Sequence, residues 1–351
     1  SLREPVATAV NLINESGAHV VSLDVPTGLD PDATSVPDGT NTEYVEADEN
    51  ITFHDEKPIH ASLDNVTVVD IGIPDAAEEF VGAGDLKLLE RDPESHKGDN
   101  GDILVVGGGP YVGAPTLSSL AALRAGCDLV KVATPADVAE TVQSYSPNLI
   151  VRELDGERLT TDDVDRVLEL AAGVDAVVIG PGLGEEDESV EAVREILADA
   201  EVDKAVVDAE AIQAIDAVQD DTDIIATPHA GELGRFVDVP AGWEERRDVV
   251  EEFSLEHGVT TLLKGKYDVI SDGDTTRVSR TGNAGMTVGG TGDVLAGVCG
   301  FLITQLDTVN AACIGAFVNG RAGDIVYENE GNGLVATDII DELPDAMRPT
   351  E

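Results

Sequence analysis

Basic residues are scarce in this chain. Twenty-one Lys and Arg, only seven of them Lys, face 70 Asp and Glu, which leaves a formal net charge of −49 over 351 residues. That surface repels a phosphate backbone, so nucleic acid is excluded as a partner class. A basic protein partner stays open. Like charge at this density strains a compact state in dilute salt, yet 42% of the residues are hydrophobic, too many for a disordered chain. Molar salt shortens the screening length to about 3 Å, so the composition points to the high-salt cytoplasm of a halophile. Cysteine is also rare. Cys127, Cys299 and Cys313 are an odd number with no CxxC, which excludes a disulfide scaffold and favours a reducing compartment. No uncharged apolar run reaches the roughly 18 residues a spanning helix needs, so no membrane partner is expected. No signal peptide is visible, and the chain starts without Met inside a helical pattern, so a trimmed start is expected. Two nucleotide signatures are missing. GxxxxGK[ST] does not occur, and residues 97–101 with 107–109 fall short of GxGxxG, which removes support for a P-loop enzyme or a Rossmann oxidoreductase.

What is plentiful is glycine, 36 residues clustered after short apolar runs, as in turns between strands and helices. The length suits two domains. Residues 4–16 carry a helical pattern, and 20–25, 50–53 and 66–71 read as short strands. The acidic stretch 74–93 reads as the boundary, which leaves the first unit too small for a complete α/β domain. Beyond it, strands are expected at 102–106, 129–133, 175–179, 205–207, 224–226 and 260–263, with a hairpin over 267–279. Helices are expected at 114–125, 136–145, 160–171, 189–198, 243–257, 292–303 and 308–328. Alternating helices and almost wholly apolar strands predict a mostly parallel sheet covered on both faces. Ligands bind beyond the carboxyl ends of such strands, where the polar clusters at 107–113, 180–184, 208–210, 227–232 and 264–268 fall.

The strongest local signal is TGNAGMTVGGTGDVLAG at 281–297. Gly289, Gly290 and Gly292 permit close approach of backbone to a ligand. The helix that starts there offers free amides and a favourable dipole to an anion. Asp293 stands at the same helix end. It either caps the helix or accepts the proton of a hydroxyl that attacks a phosphoryl group. Lys264, Gly265 and Lys266 read as a solvated loop or as a nucleotide-binding loop. His229 is a structural histidine or a substrate contact. Glu232 caps a short helix or holds Mg²⁺ through water. Asp208 and Asp24 each end a strand; cap and catalytic roles stay open for Asp208, and turn and general-base roles for Asp24.

Taken in order, HKGDNGDILVVGGG (96–109), GPGLG (180–184), VVDAEAI (206–212), TPHAGE (227–232), LLKGKYDVI (262–270) and GNAGMTVGGTGDVLAG (282–297) closely resemble the NAD(P)H-hydrate dehydratase family. The resemblance covers residues 86–348. It implies a ribokinase-like three-layer αβα fold and dehydration of (S)-NADH hydrate or (S)-NADPH hydrate with ADP, or ATP in some members, and Mg²⁺. It implies Asp293 as base and substrate contact, Ala114, Gly182 and His229 as further substrate contacts, and Lys264, Gly265, Lys266, Tyr267, Asp268 and Gly292 as the AMP site. It also implies self-association into a homo-oligomer. The family commonly has VLDADAL and TPHPGE where this chain has VVDAEAI and Ala230, and both departures keep the acidic and histidine positions. A ribokinase-type small-molecule kinase, which shares fold and loop, is the competing reading.

Residues 1–80 resemble the C-terminal half of the NAD(P)H-hydrate epimerase domain, a partial Rossmann-like unit, through VVSLDVPTGLD (20–30), YVEADENITFHDEKPIH (44–60) and VVDIGIP (68–74). The resemblance implies Asp24 as the catalytic aspartate and Thr27 beside a K⁺ site. The glycine- and asparagine-rich phosphate-binding segment of that domain is not in the sequence. Epimerase activity is therefore expected only with a separate N-terminal epimerase fragment.

Overall fold

Strand residues alternate between two cores. Ile103 and Val105 enter one apolar cluster and Leu104 and Val106 the other, because successive side chains on a strand point to opposite faces. The computed structural model describes residues 2–37, 44–74, 76–89, 91–219 and 222–349. They fall into two units, Ser1–Ala77 and Glu78–Glu351. Residues 78–93, expected as linker, belong to the larger unit. Phe80 pairs with Val278, and Asp85 takes a 2.8 Å ion pair from Arg277.

The smaller unit has helix α1 (Val6–Glu15) and strands β1 (Val21–Leu23), β2 (Glu49–Phe53) and β3 (Val66–Val69) in a parallel sheet ordered β1-β2-β3. A short helix, α2 (Ala76–Glu79), spans the division between the units.

The larger unit contains β4 (Asp102–Val106), α3 (Gly113–Ala125), β5 (Leu129–Pro135), α4 (Ala136–Tyr145), β6 (Ile150–Leu154), α5 (Val164–Ala171), β7 (Ala176–Ile179), α6 (Asp187–Leu197), β8 (Lys204–Val207), β9 (Asp223–Ala226), α7 (Ala230–Leu233), α8 (Trp243–His257), β10 (Thr260–Leu263), β11 (Asp268–Ser271), β12 (Thr276–Ser279), α9 (Thr291–Leu302), α10 (Thr308–Glu330) and α11 (Ala336–Ala346). The nine strands run β12-β11-β10-β9-β8-β7-β4-β5-β6. Pairs from β6 through β10 are parallel, and the β11–β12 hairpin is antiparallel. Helices α3, α9, α10 and α11 cover one face, and α5, α6 and α8 the other. This is the three-layer αβα arrangement expected. Two elements were not expected: β6, an edge strand with Arg152 and Glu153 among its apolar residues, and α11, which contains Pro344.

Chain order reverses direction across the sheet between β4 and β7, the switch point beyond whose carboxyl ends such sheets bind ligands. Small residues let the helices that cover it pack closely. Helix α9 lies so close to α3 that a Cβ on Gly297 would overlap the Ser118 carbonyl oxygen.

Candidate functional site

Helix α9 begins at a position only glycine fills easily. Gly290 has φ +100°, and a Cβ there would lie 2.7 Å from Leu117 Cδ1 and 2.9 Å from Ala336 Cβ. The Val294 amide closes the first turn on the Gly290 carbonyl at 3.0 Å. The amides ahead of it therefore point out of the helix end. No side chain caps this terminus, so Asp293 is not a capping residue. Ser118 on α3 donates to the Asp293 carbonyl oxygen at 2.8 Å and fixes the turn that carries it.

The carboxyl of Asp293 is half-buried, and burial pushes its pKa up to about 7. The negative charge of Asp208 adds to that rise, and Lys264 opposes it. A carboxyl poised near neutrality suits general-base work. Lys264 follows β10. Its amide donates to the Pro228 carbonyl at 2.8 Å, and its Nζ lies 2.9 Å from Asp208 Oδ1 and 4.0 Å from Glu232 Oε2. Burial works against the ammonium, but Asp208, Glu232 and Asp293 outweigh it and raise its pKa. A Cβ on Gly292 would sit 3.3 Å from the same Nζ. The cation thus stands beside the free amides of α9, a combination of groups chemically suited to an anion.

Asp208 is 3% exposed. Its Oδ1 also accepts from Thr227 Oγ1 at 2.7 Å. The sequence left its role open between cap and catalysis. The structure makes it the partner of Lys264, at the head of the 3₁₀ turn Ala209–Ala217 and not of an α-helix. Its only signal in the sequence was an acidic residue at a strand end.

His229 Nδ1 accepts from the Gly231 and Glu232 amides, each at 3.0 Å. In the neutral ring that places the proton on Nε2. The side chain is 59% exposed, so Nε2 can donate outward, with Glu232 Oε1 3.5 Å away. Glu232 Oε2 accepts the His229 amide at 2.7 Å. Of the two roles the sequence left open for Glu232, the helix cap is formed, and it braces the His229 loop. Among the described residues, no group of three or more His, Cys, Asp or Glu could hold a metal ion.

Ala114 and Gly182, the further substrate contacts that the resemblance implies, meet at α3. A Cβ on Gly182 would lie 3.2 Å from Ala114 Cβ, and Ala114 is one turn from Ser118 on the same helix face. The residues that the resemblance implies for AMP also converge. Lys264, Gly265, Lys266, Tyr267, Asp268 and Gly292 line a cavity of about 650 Å³, walled further by residues of the 280–287 loop, α9 and α10. Burial pushes Asp268 up to about 7, against the Gly265 amide and Lys264. Trp243, the single tryptophan, stacks edge-on against Tyr267 with centroids 5.9 Å apart.

In the small unit, Asp24 adopts φ +67°. Its Oδ1 pairs with Lys57 Nζ at 2.8 Å, and this bond holds the carboxyl below its usual range against the effect of burial. Lys57, which the sequence reading missed, also donates to Thr52 Oγ1 (3.0 Å), the Phe53 carbonyl (3.1 Å) and the Asp55 carbonyl (3.3 Å). Thr27 is exposed, and its carbonyl accepts the Val45 amide at 3.0 Å. The Thr52 hydroxyl and the Phe53 and Asp55 carbonyls thus converge on the Lys57 ammonium.

A nine-stranded, mostly parallel sheet between two helical layers gives a ribokinase-like α/β fold. A ribokinase-like superfamily protein from Enterococcus faecalis shares this fold, with a TM-score of 0.66 at 22% identity over 79% of this chain and 97% of that one. The family described as NAD(P)H-hydrate dehydratase matches residues 103–345, and the chain belongs to it. Residues 1–59 match the family described as YjeF-related protein N-terminus. The bifunctional NAD(P)H-hydrate repair enzyme of Archaeoglobus fulgidus is 46% identical over 352 residues, covering 99% of this chain and 72% of that protein. The ADP-dependent (S)-NAD(P)H-hydrate dehydratase of Cenarchaeum symbiosum is 38% identical over 281 residues, 78% of this chain and 98% of that one. The ADP/ATP-dependent NAD(P)H-hydrate dehydratase of Bacillus subtilis, co-crystallised with ATP and Mg²⁺, superposes with a TM-score of 0.66 at 25% identity, covering 79% of this chain and 98% of that one.

Proposed function

We propose that this protein repairs nicotinamide nucleotides by dehydrating (S)-NADH hydrate or (S)-NADPH hydrate at the expense of ADP, with release of AMP and phosphate. The carrying observation is a near-neutral carboxyl, Asp293, in the first turn of a helix whose free amides adjoin the Lys264 ammonium. The nucleotide lies in the cavity lined by residues 264–268 and Gly292, with its terminal phosphoryl group on the α9 amides and Lys264. Asp293 takes the proton of the hydrate hydroxyl, and the oxygen attacks that phosphoryl group. The P–O bond to AMP breaks. The lone pair of the ring nitrogen then expels phosphate, and loss of the neighbouring ring proton restores the dihydropyridine. His229 Nε2 and the surface at Ala114 and Gly182 orient the hydrate. Mg²⁺ would offset charge between the phosphates, and it would be carried by phosphate oxygens and water, since Glu232 is engaged in its cap.

The family resemblance of the small unit supports a conditional reading. Asp24, kept ionised by Lys57, acts as the base of hydrate epimerisation when a further length of chain completes that fold. No step is assigned to K⁺. The charge of −49 supports a working environment of molar salt, and the family resemblance supports self-association, which light scattering would read.

The test supplies NADH hydrate with ADP, then ATP, in molar KCl and follows recovery of NADH absorbance. Recovery supports the reading. No recovery with either nucleotide, together with phosphate transfer to an added sugar or vitamin alcohol, would replace it with a small-molecule kinase.

A further inference from the structure

Most polar side chains lining the cavity are already committed. Asn283 Oδ1 accepts the Gly285 amide at 3.0 Å, and its Nδ2 donates to Asp324 Oδ1 at 2.9 Å. Thr281 Oγ1 donates to the Phe317 carbonyl at 3.0 Å. Asn319 on α10 is different. It lines the cavity and is 7% exposed, and its Oδ1 is buried with no hydrogen-bond partner. Leaving such a group unpaired is costly, because folding removes its water without replacing it. The backbone around it is held firmly. A Cβ on the next residue, Gly320, would come within 2.6 Å of the Thr281 carbonyl carbon, so helix and loop are locked together beside the amide. The neighbouring cavity wall is apolar, from Ala284, Met286 and Leu295.

A carboxamide beside an apolar wall suits one ligand chemistry, a flat heteroaromatic ring that carries a donor next to an acceptor. An amide pairs with the amino group and adjacent ring nitrogen of adenine through two hydrogen bonds. We propose that Asn319 reads the base edge of the nucleotide and sets the preference for a 6-aminopurine. This deepens the proposed function and rests on its placement of the nucleotide in this cavity.

The probes are ADP and purine riboside 5′-diphosphate, which lacks only the 6-amino group. Dissociation constants are measured in molar KCl by calorimetry on the full chain and its Asn319→Ala variant. The wild type is expected to prefer ADP by about tenfold, one hydrogen bond's worth of discrimination. In Asn319→Ala the ratio is expected to fall to about one. A ratio that persists in the variant overturns the inference, and so does a wild type that binds both ligands equally. If Asn319→Ala fails to melt cooperatively, Asn319→Ser takes its place with the same two outcomes. Lys264→Gln separates this proposal from the one beneath it. If that change leaves ADP affinity untouched, the nucleotide does not occupy this cavity and both readings fall. If it weakens ADP while the base preference survives in Asn319→Ala, only the inference falls.

Discussion

The ammonium of Lys264 lies 2.9 Å from Asp208 Oδ1, and this pair ties the end of β10 to the end of β8, across the intervening β9, beside the start of α9. Asp208 is nearly fully buried, so its charge is compensated chiefly by Lys264 and the Thr227 hydroxyl. Removing one partner of such a pair leaves a buried charge unpaired. Asp208→Asn should cut turnover by about 10- to 100-fold, on the order of a lost charged hydrogen bond. It should also move the acid limb of the pH profile to lower pH, because a negative charge that raises Asp293 is gone. An unmoved limb would show that the two carboxyls do not interact.

Asp293 must be ionised to act as a base. Its raised pKa of about 7 means that turnover should climb as pH rises through neutrality and level off above it. The stability sign is opposite. The folded state holds a proton that the unfolded chain releases near 3.8, so this group favours folding less and less as pH climbs from about 4 to about 7. Asp293→Asn should therefore abolish turnover, keep ADP binding, and raise the melting temperature at pH 8 relative to wild type. Retained activity in that variant would remove the base assignment.

His229 reaches outward with Nε2 while Nδ1 holds its own loop. His229→Ala should raise KM for the hydrate about tenfold, as for one lost hydrogen bond of ordinary strength. It should leave the ADP dissociation constant within about twofold, a spread small against that tenfold effect. Quenching of Trp243 through Tyr267 offers the nucleotide readout. Equal weakening of both ligands would point to loop collapse.

Gly297 permits the close crossing of α9 over Ser118. A methyl group there has no room and must push the helices apart. Gly297→Ala should cost about 1–3 kcal/mol by overpacking, read as a lower denaturant midpoint. It should also lower kcat, since Ser118 holds the Asp293 turn.

With 70 acidic against 21 basic residues, the melting temperature should rise between 0.1 and 3 M KCl as repulsion is screened. A flat or falling curve would contradict the high-salt reading.

Strand positions in the large sheet were legible because apolar runs ended in glycine or acidic clusters, and the GGTGD turn marked its anion site by composition. Strand β6 was not legible, since an edge strand exposes one side and tolerates Arg152 and Glu153. Helix α11 was hidden by Pro344, which usually signals a helix end. For Glu232 the sequence left a helix cap and a Mg²⁺ role open, and the structure shows the cap on the His229 amide.

The sequence by itself determined the alternating architecture, the acidic surface and the residue types gathered at the strand ends, because these follow from periodicity and composition. Only the tertiary structure decided that Asp208 belongs to Lys264, that Lys57 belongs to Asp24 and that the Asn319 side-chain oxygen lacks a partner. Those facts depend on distances between residues 56, 33 and many more positions apart in the chain, and local pattern carries no information about which distant groups a fold brings within 3 Å of one another.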